Sequence, residues 1–184
     1  MKTKKILLVI DVQNDFIDGA LFNEVAQTRI SNIVKKINDF DGEYIFVTKD
    51  THYDNYMETS EGINLPVPHC IKGTSGWELN KEIKAAIEAK KTVLTTIEKP
   101  TFGSWELVSV IRTMVESYND EIEIEMVGFC TDICVLSNAI MIKTALFDKT
   151  NVKLIVDSNC CAGVTPEKHE AALEVMKSCQ INVI

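Results

Sequence analysis

The sequence predicts an α/β protein, a three-layer α/β/α arrangement around a six-stranded, mostly parallel sheet. Three observations lead there. Short β-branched runs alternate with longer amphipathic stretches. The first run, Ile6-Leu7-Leu8-Val9-Ile10, is apolar on both faces, as a strand covered on each side must be. The alternation holds to the end of the chain, six strands against five helical segments, with no internal repeat, low-complexity tract or linker.

After that first strand, Ile30, Ile33, Val34 and Ile37 recur at spacings of three and four, which predicts a helix over 25–40 with one core stripe. Residues 44–48 read as a second strand. Residues 55–75 read as a loop, punctuated by Gly62, Pro66, Pro68 and Gly73. A helix over 78–90 and a strand over 92–97 follow. Ser104 can cap a helix running to 117. Charged and apolar residues alternate over 121–127, a partly exposed strand entering Gly128, and a helix is expected over 132–147. Residues 152–156 form another buried strand. Thr165-Pro166 starts the last helix, to 178, with Thr as cap and Pro in the first turn. Residues 181–184 close the sheet.

At 184 residues, the chain is expected to be one domain over 1–184 with a core large enough to fold without staples. A net charge of −8 argues against nucleic acid or an anionic membrane as the main partner. The charged start, Met1 to Lys5, precedes an apolar run of only residues 6–10, too short for a secretion signal or a membrane span. The six cysteines include no zinc-type CxxC pair, so free thiols in a reducing cytoplasm are expected.

Ligands of parallel sheets bind at the carboxyl ends of the strands, which directs attention to Asp11, Lys49-Asp50, Lys99, residues 130–134 and Asp157. Taken singly, Asp11 reads as a loop anchor and Lys99 as a surface lysine. Cys134 says more. It follows a strand-to-helix junction, where unpaired N–H groups and the helix dipole favour a thiolate and a nearby Lys99 would add to that. The plain alternative for a free cysteine is a small core residue, and Cys70, Cys160, Cys161 and Cys179 are assigned to it.

A second cluster lies in one loop: Asp50, His52, Glu58, Glu61 and His69. Two imidazoles with carboxylates suit zinc, iron or manganese. A polar surface loop explains the spacing equally well. Phe16, Phe102 and Trp105 are pocket-lining candidates whose default is core packing. His169, in the last helix, reads as an ordinary surface or packing residue. The sequence contains no GxGxxG, GxxxxGK[ST] or GxSxG motif, which disfavours dinucleotide enzymes, nucleotide hydrolases and serine esterases.

Four segments resemble a known family in order over nearly the whole chain: Asp11-Val12-Gln13-Asn14-Asp15-Phe16; Thr48-Lys49-Asp50-Thr51-His52; Lys99 with Phe102; and Gly128-Phe129-Cys130-Thr131-Asp132-Ile133-Cys134-Val135. They are similar to the isochorismatase-like cysteine hydrolases, whose fold is Rossmann-like. Within that family, Pro68-His69 and Gly73-Thr74-Ser75-Gly76 are most similar to nicotinamidases. The resemblance implies a triad of Asp11, Lys99 and Cys134 and a cis peptide at Phe129-Cys130. It also implies oxyanion donors at the amides of Cys130 and Cys134. A covalent amide hydrolysis through a thioester follows from these. It further implies a divalent metal, zinc first, that orients the substrate ring through its pyridine nitrogen. Many relatives use three histidines with the aspartate, whereas this loop has two. Glu61, with Glu58 as second choice, is therefore expected to complete the set with Asp50, His52 and His69.

The implied substrate is a small amide, nicotinamide first, with a place in NAD salvage. Another amide or carbamoyl compound handled without metal is the alternative. A non-catalytic metal- or partner-binding relative is the alternative from another class. A homo-oligomer is expected, since symmetric dimers are the default for such domains.

Overall fold

The computed structural model describes residues 3–184; Met1 and Lys2, part of the charged start discussed above, lie outside the described residues. Among the described residues, one sheet contains β1 (Lys4–Ile10), β2 (Tyr44–Asp50), β3 (Val93–Lys99), β4 (Ile122–Phe129), β5 (Val152–Ala162) and β6 (Asn182–Val183). The strand order is β3-β2-β1-β4-β5-β6, and every neighbouring pair is parallel. The α-helices are α1 (Glu24–Asp39), α2 (Ser60–Asn64), α3 (Lys81–Glu88), α4 (Trp105–Glu116), α5 (Leu136–Ala145) and α6 (Pro166–Ser178). None of the described helices is long and apolar enough to cross a membrane.

The continuous apolar run of β1 has a direct cause. Ile6, Leu8 and Ile10 face one core, with Leu107 and Ile111 of α4, Ile142 of α5 and Leu173 of α6. Leu7 and Val9 face the other, with Ile30, Ile33 and Ile37 of α1 and Ile83 of α3. Successive strand residues point to opposite faces, so both sets must be apolar. Helix starts follow the capping chemistry. The side chains of Asn23, Ser104 and Thr165 accept hydrogen bonds from the amides of Ala26, Leu107 and Lys168.

Several boundaries differ from the sequence reading. The sheet is wholly parallel. The strand expected over 152–156 continues to Ala162, because Asp157 is buried within it and held by Lys36, whose Nζ lies 2.9 Å from Asp157 Oδ2 and 2.6 Å from Glu125 Oε1. The loop expected over 55–75 contains a 3₁₀ turn, Tyr56–Glu58, and the short α2, whose cap Thr59 accepts from the Gly62 amide. The helix over 78–90 starts later, behind the Asn80 cap. The helix expected at 132 begins instead as a π turn, Thr131–Val135, which leads into α5.

Strand order reverses between β1 and β4, the place where such sheets open a crevice at their carboxyl ends. Asp11 follows β1, Asp50 ends β2, Lys99 ends β3 and Cys130 follows β4, so four candidate residues meet there.

Candidate active site

Asp11 leaves β1 with φ of 50°, a left-handed conformation that Asp tolerates better than most residues. The turn aims its carboxylate inward, where it is fully buried. Thr48 of β2 donates its hydroxyl proton to Asp11 Oδ1 at 2.6 Å. Asp11 Oδ2 forms an ion pair with Lys99 Nζ, 2.6 Å away. Lys99 pairs in register with Asp50 at the end of β3. Its ammonium also donates to the Thr101 carbonyl at 3.0 Å and to Cys134 Sγ at 3.5 Å. A carboxylate, an ammonium and a thiol therefore share one buried site, all 4% exposed or less.

The charges in that site follow from burial and neighbours. Burial pushes Asp11 up and the Lys99 charge opposes it. Burial pushes Lys99 down, but Asp11, Cys134 and Asp50 outweigh it and keep the ammonium charged. The Cys134 thiol lies well above its ordinary value because burial exceeds the pull of Lys99, and Asp11 and Asp50 add to the rise. This corrects the expectation of a thiolate at rest. Cys134 sits inside a buried π turn rather than on the open first turn of a helix, so desolvation wins over the dipole.

The strand that delivers Cys134 ends at Gly128, with φ of 125°. A Cβ there would lie 2.0 Å from the carbonyl oxygen of Ile10, so only glycine lets β4 run this close to β1. The next peptide bond, Phe129-Cys130, is cis. Behind the turn, Asn138 is fully buried. It donates to the carbonyls of Cys134 at 2.8 Å and Phe102 at 3.2 Å, and it accepts from the Ser104 amide at 2.9 Å.

Beside these groups stands the second cluster. Asp50, His52, Glu61 and His69 each present one ligand atom, all within 4.8 Å of one another. His52 Nε2 is 3.0 Å from Asp50 Oδ2 and 3.8 Å from Glu61 Oε1; His69 Nε2 is 3.4 Å from both carboxylates. Tetrahedral ligands at about 2.1 Å from a zinc ion stand roughly 3.4 Å apart, so donor types and spacings both fit a divalent metal. His69 Nδ1 donates to the Val67 carbonyl at 2.9 Å, which leaves Nε2 facing the cluster. Burial pushes His69 down, but hydrogen bonds to Asp50 and Glu61 overcome it and raise it to about 10. Burial pushes Asp50 up, but bonds from His52 and His69 and the Lys99 charge hold its carboxyl well below the carboxylate range. Glu58, the second choice, is exposed on its 3₁₀ turn and outside the cluster.

A cavity of about 1030 Å³ joins the two groups, with Phe16, His52, Glu61, Phe102, Cys130 and Cys134 among its lining. Phe16 packs edge-on to His69, ring centroids 5.7 Å apart. Trp105, expected with the other aromatics, is instead 78% exposed at the start of α4 and does not line the cavity. The sequence reading assigned no role to Thr48, Asn138 or Gln13. The Gln13 side chain bridges the loops, accepting from the Asp50 amide at 2.7 Å and donating to the Asp50 carbonyl at 2.8 Å. Gln13 lay within a quoted motif; nothing marked Asn138.

The isochorismatase domain model matches residues 5–184. The chain is 27% identical over 191 aligned positions to the nicotinamidase/pyrazinamidase of Mycobacterium tuberculosis, covering 98% of each chain. It is 26% identical to the nicotinamidase of Saccharomyces cerevisiae, covering 98% of this chain and 99% of the relative. The crystal structure of nicotinamidase/pyrazinamidase from Bacillus subtilis superposes with a TM-score of 0.81 at 30% identity, covering 98% of this chain and 99% of that one. With a match over nearly its whole length, this chain belongs to the isochorismatase domain family.

Proposed function

We propose that this chain is a cysteine-dependent amidohydrolase that converts nicotinamide to nicotinate and ammonia. The observation that carries the reading is the buried carboxylate–ammonium–thiol group, at 2.6 and 3.5 Å, opening into a cavity that also holds a two-imidazole, two-carboxylate cluster. The names of the relatives above point to the same substrate.

Asp11 accepts the thiol proton of Cys134 as the sulfur attacks the carboxamide carbon, and the Lys99 ammonium stabilises the sulfur anion as it forms. A thiol held neutral by burial suits this order, because charge appears only when the electrophile is in place. The amides of Cys130 and Cys134 receive the developing oxyanion. Asp11 then returns the proton to the departing nitrogen, ammonia leaves, and a thioester remains on Cys134. Water attacks that thioester with Asp11 again as base, which releases nicotinate and restores the thiol.

Asp50, His52, Glu61 and His69 would hold a divalent metal, zinc first by its preference for nitrogen and oxygen donors in a tetrahedral set. When bound, it supplies a Lewis acid for the pyridine nitrogen and so orients the ring. Phe16 and Phe102 border the ring and limit water. The six free cysteines are in keeping with a reducing cytoplasmic setting, and a product of this kind would enter NAD salvage. The test is ammonia release from nicotinamide by purified protein, with and without chelation, beside Cys134→Ala. Release that needs both Cys134 and metal is expected. No release after zinc, iron or manganese is restored would refute nicotinamide as substrate.

A further inference from the structure

Of the three histidines, His169 takes no part in the chemistry above, yet it sits against the turn that carries the oxyanion amides. His169 Nδ1 lies 2.7 Å from Thr131 Oγ1. Thr131 is fully buried and stands in sequence between Cys130 and Cys134. A second tie runs alongside: Asp132 Oδ1 accepts from the Val164 amide at 2.9 Å. Gly163, just before, accepts from Asn23 Nδ2 through its carbonyl at 2.8 Å. A Cβ on Gly163 would fall 2.8 Å from the His169 amide nitrogen, so glycine lets the connection press directly onto the start of α6. Inside the turn, the Cys130 carbonyl accepts from the amides of Ile133 and Val135, both at 3.1 Å. The turn is thus held from within by its own backbone and from outside by α6, through His169, and by the segment between β5 and α6, through Val164.

Two amides that must meet a developing oxyanion need support to within about 0.5 Å. We propose that His169 is a positioning residue: through the Nδ1–Thr131 hydrogen bond it fixes the 130–134 turn, and with it the amides of Cys130 and Cys134. This rests on the hydrolase reading above. Burial holds His169 below its ordinary value; Glu170 on its own helix and Asp132 on the turn push it up, and Arg29 of α1 pushes it down. The imidazole is neutral at neutral pH, and in that form Nδ1 can accept the Thr131 hydroxyl proton.

The competing role is packing alone, and side-chain geometry separates the two. Asn places an amide atom where Nδ1 stands, whereas Gln reaches to where Nε2 stands. The zinc-loaded full chain would be compared as wild type, His169→Ala, His169→Asn, His169→Gln and Thr131→Val, by steady-state kinetics on nicotinamide and by amide hydrogen exchange over 130–135. In His169→Ala, kcat is expected to fall about tenfold with KM within about twofold, and the turn amides to exchange faster. His169→Asn restores most of both; His169→Gln restores neither. Thr131→Val matches the loss in His169→Ala, and the double variant loses no more. A lowered melting temperature with unchanged kcat and exchange would overturn the proposal, as would Gln rescuing as well as Asn. If wild type released no ammonia, nicotinamide would fail as the substrate on its own. The exchange data would still decide for His169, because unchanged exchange in His169→Ala refutes its hold on the turn.

Discussion

Replacing Lys99 by Met removes the ammonium while keeping most of the side-chain length, and its effect can be worked from Asp11. The ordinary value for that carboxyl is 3.8; burial raises it, and Lys99 opposes the rise. With Met at 99, burial and the neighbouring Asp50 act together, both upward. The folded protein then holds the Asp11 proton to higher pH than the unfolded chain does. Above pH 3.8 the unfolded state binds one proton fewer, so stability falls as pH rises, by about 1.4 kcal/mol per unit. Removing one partner of a buried ion pair costs roughly 3–5 kcal/mol, which sets the scale of the loss. In the wild type Lys99 shortens that window, because its charge draws the folded value of Asp11 back toward the unfolded one. Urea unfolding of both proteins at about pH 5 and pH 7 measures the difference. Without the ammonium, Asp11 is harder to ionise and the forming sulfur anion loses its cation, so kcat should drop at least about 100-fold. Equal pH dependence of stability in the two proteins would refute this account of the ion pair.

Three further outcomes are expected. Gly128→Ala should cost at least about 2 kcal/mol by thermal or chemical unfolding, since its φ and the 2.0 Å approach to Ile10 both resist a Cβ. His69→Ala should reduce bound metal, measured by elemental analysis after dialysis, by about 100-fold in affinity, while Glu58→Ala leaves it unchanged because Glu58 lies outside the cluster. Iodoacetamide should label Cys134 slowly at about pH 7 and faster as pH passes its ordinary thiol value of 9.0, because burial holds the thiol higher still; a rate already level below about pH 8 would show a resting thiolate.

The strands were legible because a sheet covered on both faces demands uninterrupted apolar runs, and residues 6–10 can satisfy that demand in few other ways. Helix starts at Ser104 and Thr165 were legible because capping is local chemistry. What escaped depended on distant partners. The continuation of β5 past 156 needs Asp157 buried, and Lys36, far away on α1, supplies the opposite charge that makes that tolerable. Distance before His69 ranks Glu61 ahead of Glu58, but how it reaches the cluster was not visible: α2, behind its Thr59 cap, carries the Glu61 carboxylate to His69. The state of the Cys134 thiol was misjudged for a related reason: sequence shows a helix start and a lysine, but not the depth at which both are buried.

The reversal of strand order between β1 and β4 divides the chemistry along the chain. β1 pairs with β4 across a long stretch of sequence, Lys4 opposite Ile122 and Ile10 opposite Gly128. Asp11, Lys99 and the four clustered side chains Asp50, His52, Glu61 and His69 all come before α4; Cys134 and its turn come after it. During synthesis the first portion emerges complete in its donors but with one side of β1 unpaired, and it waits for β4 to seal that seam. Turnover is therefore a direct report on the docking of two segments, and fragments divided at the exposed turn around Asn119 could be scored for reassembly by ammonia release alone.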